Sequence, residues 1–292
     1  MTRRVRFFSP ADRLSMLVLA SFFAVTMARD AHALATTALI ALVALLLTAI
    51  AAWGRRSPFG GAAHTFLSPY ASVALLFELS SRIVSAVHAP RWDARLALAD
   101  ERLFGAFADA WRGALGRPAW LTDLAGACYV SFYAFPLVVG LAIFLGRTRR
   151  DFETFTFTTE TAFFLPYVGY VAMPASGPRD LVTLGGAHVA QVTHAFVASV
   201  ELNDFDAFPS GHTAVALVVA ALGARAFPKW GAAFFAVAGA IVFSTVYLAY
   251  HYVIDVVAGA CVAASMPFVV PALERICGVT ARNPFALGAR AR

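Results

Sequence analysis

The chain has 292 residues, is 60% hydrophobic and only 14% charged, and carries a net charge of +6, with a mean hydropathy of +0.71. This excludes an ordinary soluble domain, in which about a quarter of the residues are charged, and puts the chain in the membrane class. The positive charge is almost all arginine, Lys229 being the only lysine; it lies at the ends of apolar segments, which argues against a nucleic-acid partner.

A spanning helix takes about 20 apolar residues. In chain order the predicted spans are 14–27 (short), 33–53, 66–87, 119–146, 152–173, 212–227, 230–246 and 251–270. The expected fold is an all-α polytopic bundle: a six-helix core, one or two N-terminal helices, and an interfacial amphipathic helix. Residues 1–60 would form N-terminal membrane helices, 61–273 the core and 274–292 a basic cytoplasmic tail. The basic start, short apolar core and "AHALA" of the first segment also fit a cleaved signal peptide. Between spans three and four, "RWDARLALADERLFGAFADAWRGALG" (91–116) mixes charge with Leu, Phe and Trp at helical spacing, which predicts an interfacial helix. Residues 174–211 form a long loop. Cys128, Cys261 and Cys277 show neither metal-ligand spacing nor a disulfide framework, so they read as small apolar residues.

Arginine placement sets the expected orientation. Arg3, Arg4 and Arg6 begin the chain. Arg55 and Arg56 follow span two, Arg147, Arg149 and Arg150 span four, Arg225 and Lys229 span six, and Arg275 and Arg282 span eight. By span parity all fall on the side of the N-terminus, which is then cytoplasmic along with the C-terminus. The arginines of 91–116 dissent, but acids within that segment offset them. The arginine and alanine bias suits a GC-rich bacterial genome, so the expected location is the bacterial inner membrane.

With this topology His212, which opens span six, and His251, which follows span seven, reach the extracytoplasmic face together with Arg179 of the outer loop. In "STVYLAYHYVIDVVAG" (244–259), His251 and Asp255 are four apart and are expected on one helix face. A carboxylate there holds Nδ1–H of the imidazole and leaves Nε2 as a nucleophile. An acid inside a spanning helix costs about 2.5–3.5 kcal/mol on insertion scales, so Asp255 needs a partner. In "PSGH", Pro209 ends the preceding chain, Ser210 is a good N-cap, Gly211 admits a ligand to the backbone, and the helix start is an anion site. His212 stands beside it as an acid/base. A phosphate ester fits this set.

"PSGH" followed by S-x6-H-x3-D resembles the type 2 phosphatidic acid phosphatase superfamily of membrane enzymes. The resemblance implies that His251 is phosphorylated, Asp255 orients it, His212 protonates the leaving group, and Arg179, Ser210 and Gly211 hold phosphate oxygens. It also implies membrane lipids as donor and acceptor, and no metal or other cofactor. The sequence departs from the family pattern in two cations: its first-motif lysine falls at Ala172 and its third-motif arginine at Thr245. "HYVID" is closer to the inositol phosphorylceramide synthase and sphingomyelin synthase branch, and "DERLFG" (100–105) resembles a segment of the inositol-transferring relatives. Arg82, four residues from Glu78, is the expected substitute cation, with Glu78 as its partner. Asn203, Asp206 and Tyr252 are expected in an acceptor or head-group pocket. The expected activity is therefore transfer of a phospho-head group to a lipid hydroxyl. A lipid phosphatase using water is the alternative, and a transporter using His212, Asp255 and Arg179 as an ion path is the rival of another class.

The arginine pattern has a direct test. An alkaline phosphatase reporter, active only outside the cytoplasm, is expected to be silent when fused after residue 56, 147 or 229 and active after residue 200. Activity at 147 or 229 would reverse the assigned orientation.

Overall fold

The structure is a computed structural model that describes residues 8–29, 33–56, 58–86, 90–116, 118–178, 188–200 and 205–278. Among them are eleven α-helices: α1 (Pro10–Arg29), α2 (Ala33–Gly54), α3 (Pro58–Ala86), α4 (Asp93–Phe104), α5 (Phe107–Leu115), α6 (Ala119–Gly146), α7 (Arg149–Ala172), α8 (His188–Val200), α9 (Gly211–Ala226), α10 (Gly231–Tyr247) and α11 (Val253–Ile276). The chain is an all-α, multi-pass membrane bundle.

Each of the eight predicted spans coincides with a helix among the described residues, the last of them starting at Val253 rather than at residue 251. Among the described residues, five helices are long and apolar enough to cross a membrane: α1, α2, α6, α10 with the short 3₁₀ turn before it, and α11. The remaining three have a common reason for missing that pattern: they are sheltered by protein. α7 carries a run of threonines and Glu160, yet thirteen of its residues are buried, Glu160 among them. α9 packs against α6, α7, α10 and α11. Its 16 residues make about 24 Å of helix, less than the ~30 Å hydrocarbon core, which is tolerable because neighbours rather than lipid surround it. α3 leans on α1, α2 and α7. On the outside, Leu34, Leu45, Leu145 and Phe268 are exposed, as suits side chains facing lipid.

Ionisable groups inside the bundle have partners, as the cost of burying them demands. Asp12 accepts from Ser68 Oγ (2.9 Å) and from its own N-cap amide, Ser9 N (2.8 Å), and lies 3.3 Å from His64 Nε2. Glu160 accepts from Ser72 Oγ (2.8 Å). These bonds tie α1 to α3 and α3 to α7. At the same end of the bundle, Arg13 donates to the Cys277 carbonyl (2.8 Å) and Arg147 to that of Ala226. Both place a cation at a helix C-terminus, where the macrodipole favours it.

Three local expectations are corrected. Residues 91–116 are two helices, α4 and α5, because Gly105 adopts φ 58° and ends the first. Residues 174–211 are not all loop: α8 packs on α6, where Asp123 accepts from the Ala190 amide (3.0 Å). His251 does not share a helix face with Asp255. It sits in the turn before α11, whose N-cap is Tyr252.

Candidate active site

The site is built where the first turns of α9 and α11 meet. Ser210 is the N-cap of α9, and its Oγ accepts from Thr213 N (3.2 Å). Its own amide is not spent on an anion; it donates to the Asp255 carbonyl (3.0 Å). The helix starts are thus bonded directly to each other. Two glycines make room for this approach. A Cβ on Gly259 of α11 would stand 2.4 Å from the Ser210 carbonyl oxygen, and one on Gly169 of α7 would stand 2.2 Å from Pro209 Cδ. "PSGH" is therefore seated between α7 and α11 at positions where any larger residue would force them apart. Gly211 and His212 follow at the helix start, where amides lack acceptors within the helix itself.

His212 is buried and held between two rings of α6. Its centroid lies 4.5 Å from that of Tyr129 and 4.1 Å from that of Phe132. Tyr129 also stacks on Tyr250 (4.3 Å), so one tyrosine ring touches His212 itself and the residue before His251. These α6 aromatics were not singled out from sequence. The signal was the run "CYVSFYAF" (128–135), which in an apolar span reads as lipid-facing or core filling.

His251 is set by a compact turn. α10 ends at Tyr247, and the amides of Tyr250 (2.9 Å) and His251 (3.2 Å) both donate to the Thr245 carbonyl. The residue at the departed arginine position thus contributes its backbone to the turn. His251 Nδ1 faces Asp255 Oδ2 at 3.5 Å. This is ion-pair range and longer than a hydrogen bond. The same Oδ2 accepts from Tyr252 N at 2.8 Å, so Asp255 is both helix cap and neighbour of the imidazole, and it is fully buried. The rings of His212 and His251 meet edge to face with centroids 5.7 Å apart. Two imidazoles 39 residues apart in sequence thus share one buried end of the bundle, with a carboxylate behind one of them.

The other expected residues are placed as follows. Arg179 and Asn203 lie outside the described residues. Asp206 is buried, and its backbone bridges that of Ala175. Tyr252 is half-buried among Leu96, Ala175 and Ala207, and burial pushes its phenol above the usual range. Arg82 does pair with Glu78 (3.0 Å), but its side chain is 63% exposed. The buried guanidinium belongs instead to Arg112 of α5, which donates to the Val246 carbonyl (2.9 Å). Asp100 of α4 accepts from the Ile254 amide (2.7 Å); burial raises its pKa, while the amides of Ile254 and Val253 oppose the shift. Sequence reasoning missed both roles. The available signal was an acid on the apolar stripe of α4, four residues after Leu96.

The family model described as the PAP2 superfamily matches residues 94–267, more than half of the chain and all of the site just described. No curated protein and no solved structure matches.

The contact at Gly259 predicts that Gly259→Ala separates α9 from α11. The variant is expected to lose about 1–3 kcal/mol of stability from overpacking, read by thermal unfolding in detergent, and to lose turnover with it. Parental stability and activity would show that the two helices tolerate a wider spacing.

Proposed function

The chain belongs to the PAP2 superfamily, and from that premise, which supports a membrane enzyme of lipid phosphatase type, we propose a specific reaction. The protein is a lipid phosphotransferase that moves a phospho-head group from a phospholipid to a lipid hydroxyl through a phosphohistidine. The observation that carries this reading is the pair of rings at 5.7 Å with Asp255 at 3.5 Å from His251.

In the first step His251 Nε2 attacks phosphorus. An N–P bond forms, the P–O bond to the lipid alkoxide breaks, and His212 gives that oxygen its proton. Asp255 faces Nδ1 and stabilises the charge the imidazole gains. In the second step an acceptor hydroxyl passes its proton to His212, its oxygen attacks phosphorus, and the N–P bond breaks. His212 thus serves as acid and then base, a proton cycle that returns the site to its starting state. Arg179, Ser210 and Gly211 hold the phosphate oxygens. Asn203, Asp206 and Tyr252 border the acceptor or head group. The site faces the extracytoplasmic side and draws its donor from the outer leaflet.

Two features favour a transferase acting on a phosphodiester. Ala172 and Thr245 stand where the resemblance would place a lysine and an arginine. A diester carries one negative charge and asks for fewer cations than a dianionic monoester. "HYVID" resembles the inositol phosphorylceramide and sphingomyelin synthases.

The intermediate is tested by labelling with a radioactive head-group donor and quenching in alkaline detergent, where a phosphohistidine survives. A base-stable, acid-labile label is expected in the parent protein and absent from His251→Ala. A parent protein that transports but never labels would mean a carrier. The acceptor is tested by incubating purified protein with defined phospholipids, with and without diacylglycerol or ceramide. A new head-group-bearing lipid is the expected product, whereas release of free phosphate alone would assign the water-using reaction.

A further inference from the structure

The turn that presents His251 is held open on unfavourable terms. Ala249 has φ 59°, a left-handed conformation that a residue with a Cβ keeps only when its surroundings dictate it. Those surroundings come from one stretch of chain. Before the turn, Arg112 Nη1 donates to the Val246 carbonyl (2.9 Å), with the arginine itself buried. After the turn, Asp100 Oδ1 accepts from Ile254 N (2.7 Å). Over the turn lies Gly177, where a Cβ would stand 2.4 Å from the Tyr250 carbonyl oxygen. The amides of Ser176 (2.8 Å) and Gly177 (3.2 Å) are held in turn by Asp93 Oδ1. Arg112, Asp100 and Asp93 all belong to α4 and α5.

We propose that the amphipathic segment α4–α5 is the positioning frame of the reaction centre, with Asp100 and Arg112 as positioning residues that keep His251 in register with His212. This deepens the catalytic reading of His251 and rests on it. Neither residue touches the reacting atoms. Asp100 acts through the first turn of α11, which carries Asp255. Arg112 acts through the Val246 carbonyl, beside Thr245, whose own carbonyl takes the Tyr250 and His251 amides. Anchoring by side chains of opposite charge at the two ends of the turn opposes both a slide along α10 and a lift away from α11. Trp111, whose ring meets those of Phe243 (5.1 Å) and Tyr247 (6.3 Å), fixes α5 on α10 so that Arg112 can reach.

The test uses the full chain in detergent micelles and two independent measurements. Hydrogen exchange, read by mass spectrometry without substrate, reports the turn. Head-group transfer from dioctanoyl phosphatidylinositol, a phosphodiester, to ceramide reports the reaction. Asp100→Ala and Arg112→Ala are expected to speed exchange at residues 247–252 by about tenfold or more, the loss of one buried hydrogen bond, while α6 and α7 peptides stay unchanged. Turnover is expected to fall in kcat with KM nearly constant. Asp100→Asn keeps an acceptor for Ile254 and is expected to restore both, and Ala249→Gly, which relieves the left-handed residue, to restore part of both in the Asp100→Ala background. If Asp100→Ala does not fold, Arg112→Ala and Asp100→Asn carry the comparison. Unchanged exchange at 247–252 in a folded alanine variant would overturn the frame. Faster exchange with unchanged kcat would overturn the catalytic reading of His251, and the frame's purpose with it.

Discussion

A single backbone hydrogen bond, from the Ser210 amide to the Asp255 carbonyl, sets the geometry on which the site depends. It joins the N-termini of two helices that would otherwise repel as like dipole ends. The bond is affordable because Asp255 puts a carboxylate at the start of α11 and because Gly259 and Gly169 remove the side chains that would keep the backbones apart. Once those starts are joined, the residue after Gly211 and the residue before Tyr252 are bound to lie at the same depth. The proximity of the two imidazoles follows from helix packing rather than from any direct bond between them.

The bundle also shows how a membrane fold accommodates polar chemistry. The helices that carry it are the least lipid-like. α7 with its threonines and Glu160, and α9 with "PSGH" at its head, are wrapped by more apolar helices that face outward. Three acids buried in the spanning helices have donors: Ser68 for Asp12, Ser72 for Glu160, and the Tyr252 amide for Asp255. A bilayer supplies no water to satisfy such groups, so these partners are a condition of the fold as much as of any reaction.

The segment between α3 and α6 changes meaning in this light. By composition it is a surface helix pair. In space its Leu96, Asp100 and Arg112 are buried against α10 and α11, and its charges end on backbone atoms of the turn that holds His251. The PAP2 superfamily match begins at residue 94, so the family pattern takes in this segment together with the helices that bear the histidines.

Much of this was legible in the chain itself. Apolar length and arginine placement gave the spans and their pairing into ends, because hydrophobic thickness and helix rise are fixed numbers that sequence must meet. "PSGH" and the His251–Asp255 spacing pointed to the superfamily whose model matches residues 94–267, because N-capping and the cost of an intramembrane acid are local rules. The tertiary structure decided what local rules cannot express. It moved His251 off the helix, since Asp255 caps α11 through the Tyr252 amide and ends the helix short of it. It placed Tyr129 and Phe132 around His212, drew Asp100 and Arg112 inward, and left Arg82 exposed beside Glu78. Each of those outcomes depends on which helix faces which, and the side chains that meet there are separated by tens of residues, so no spacing along the chain records them.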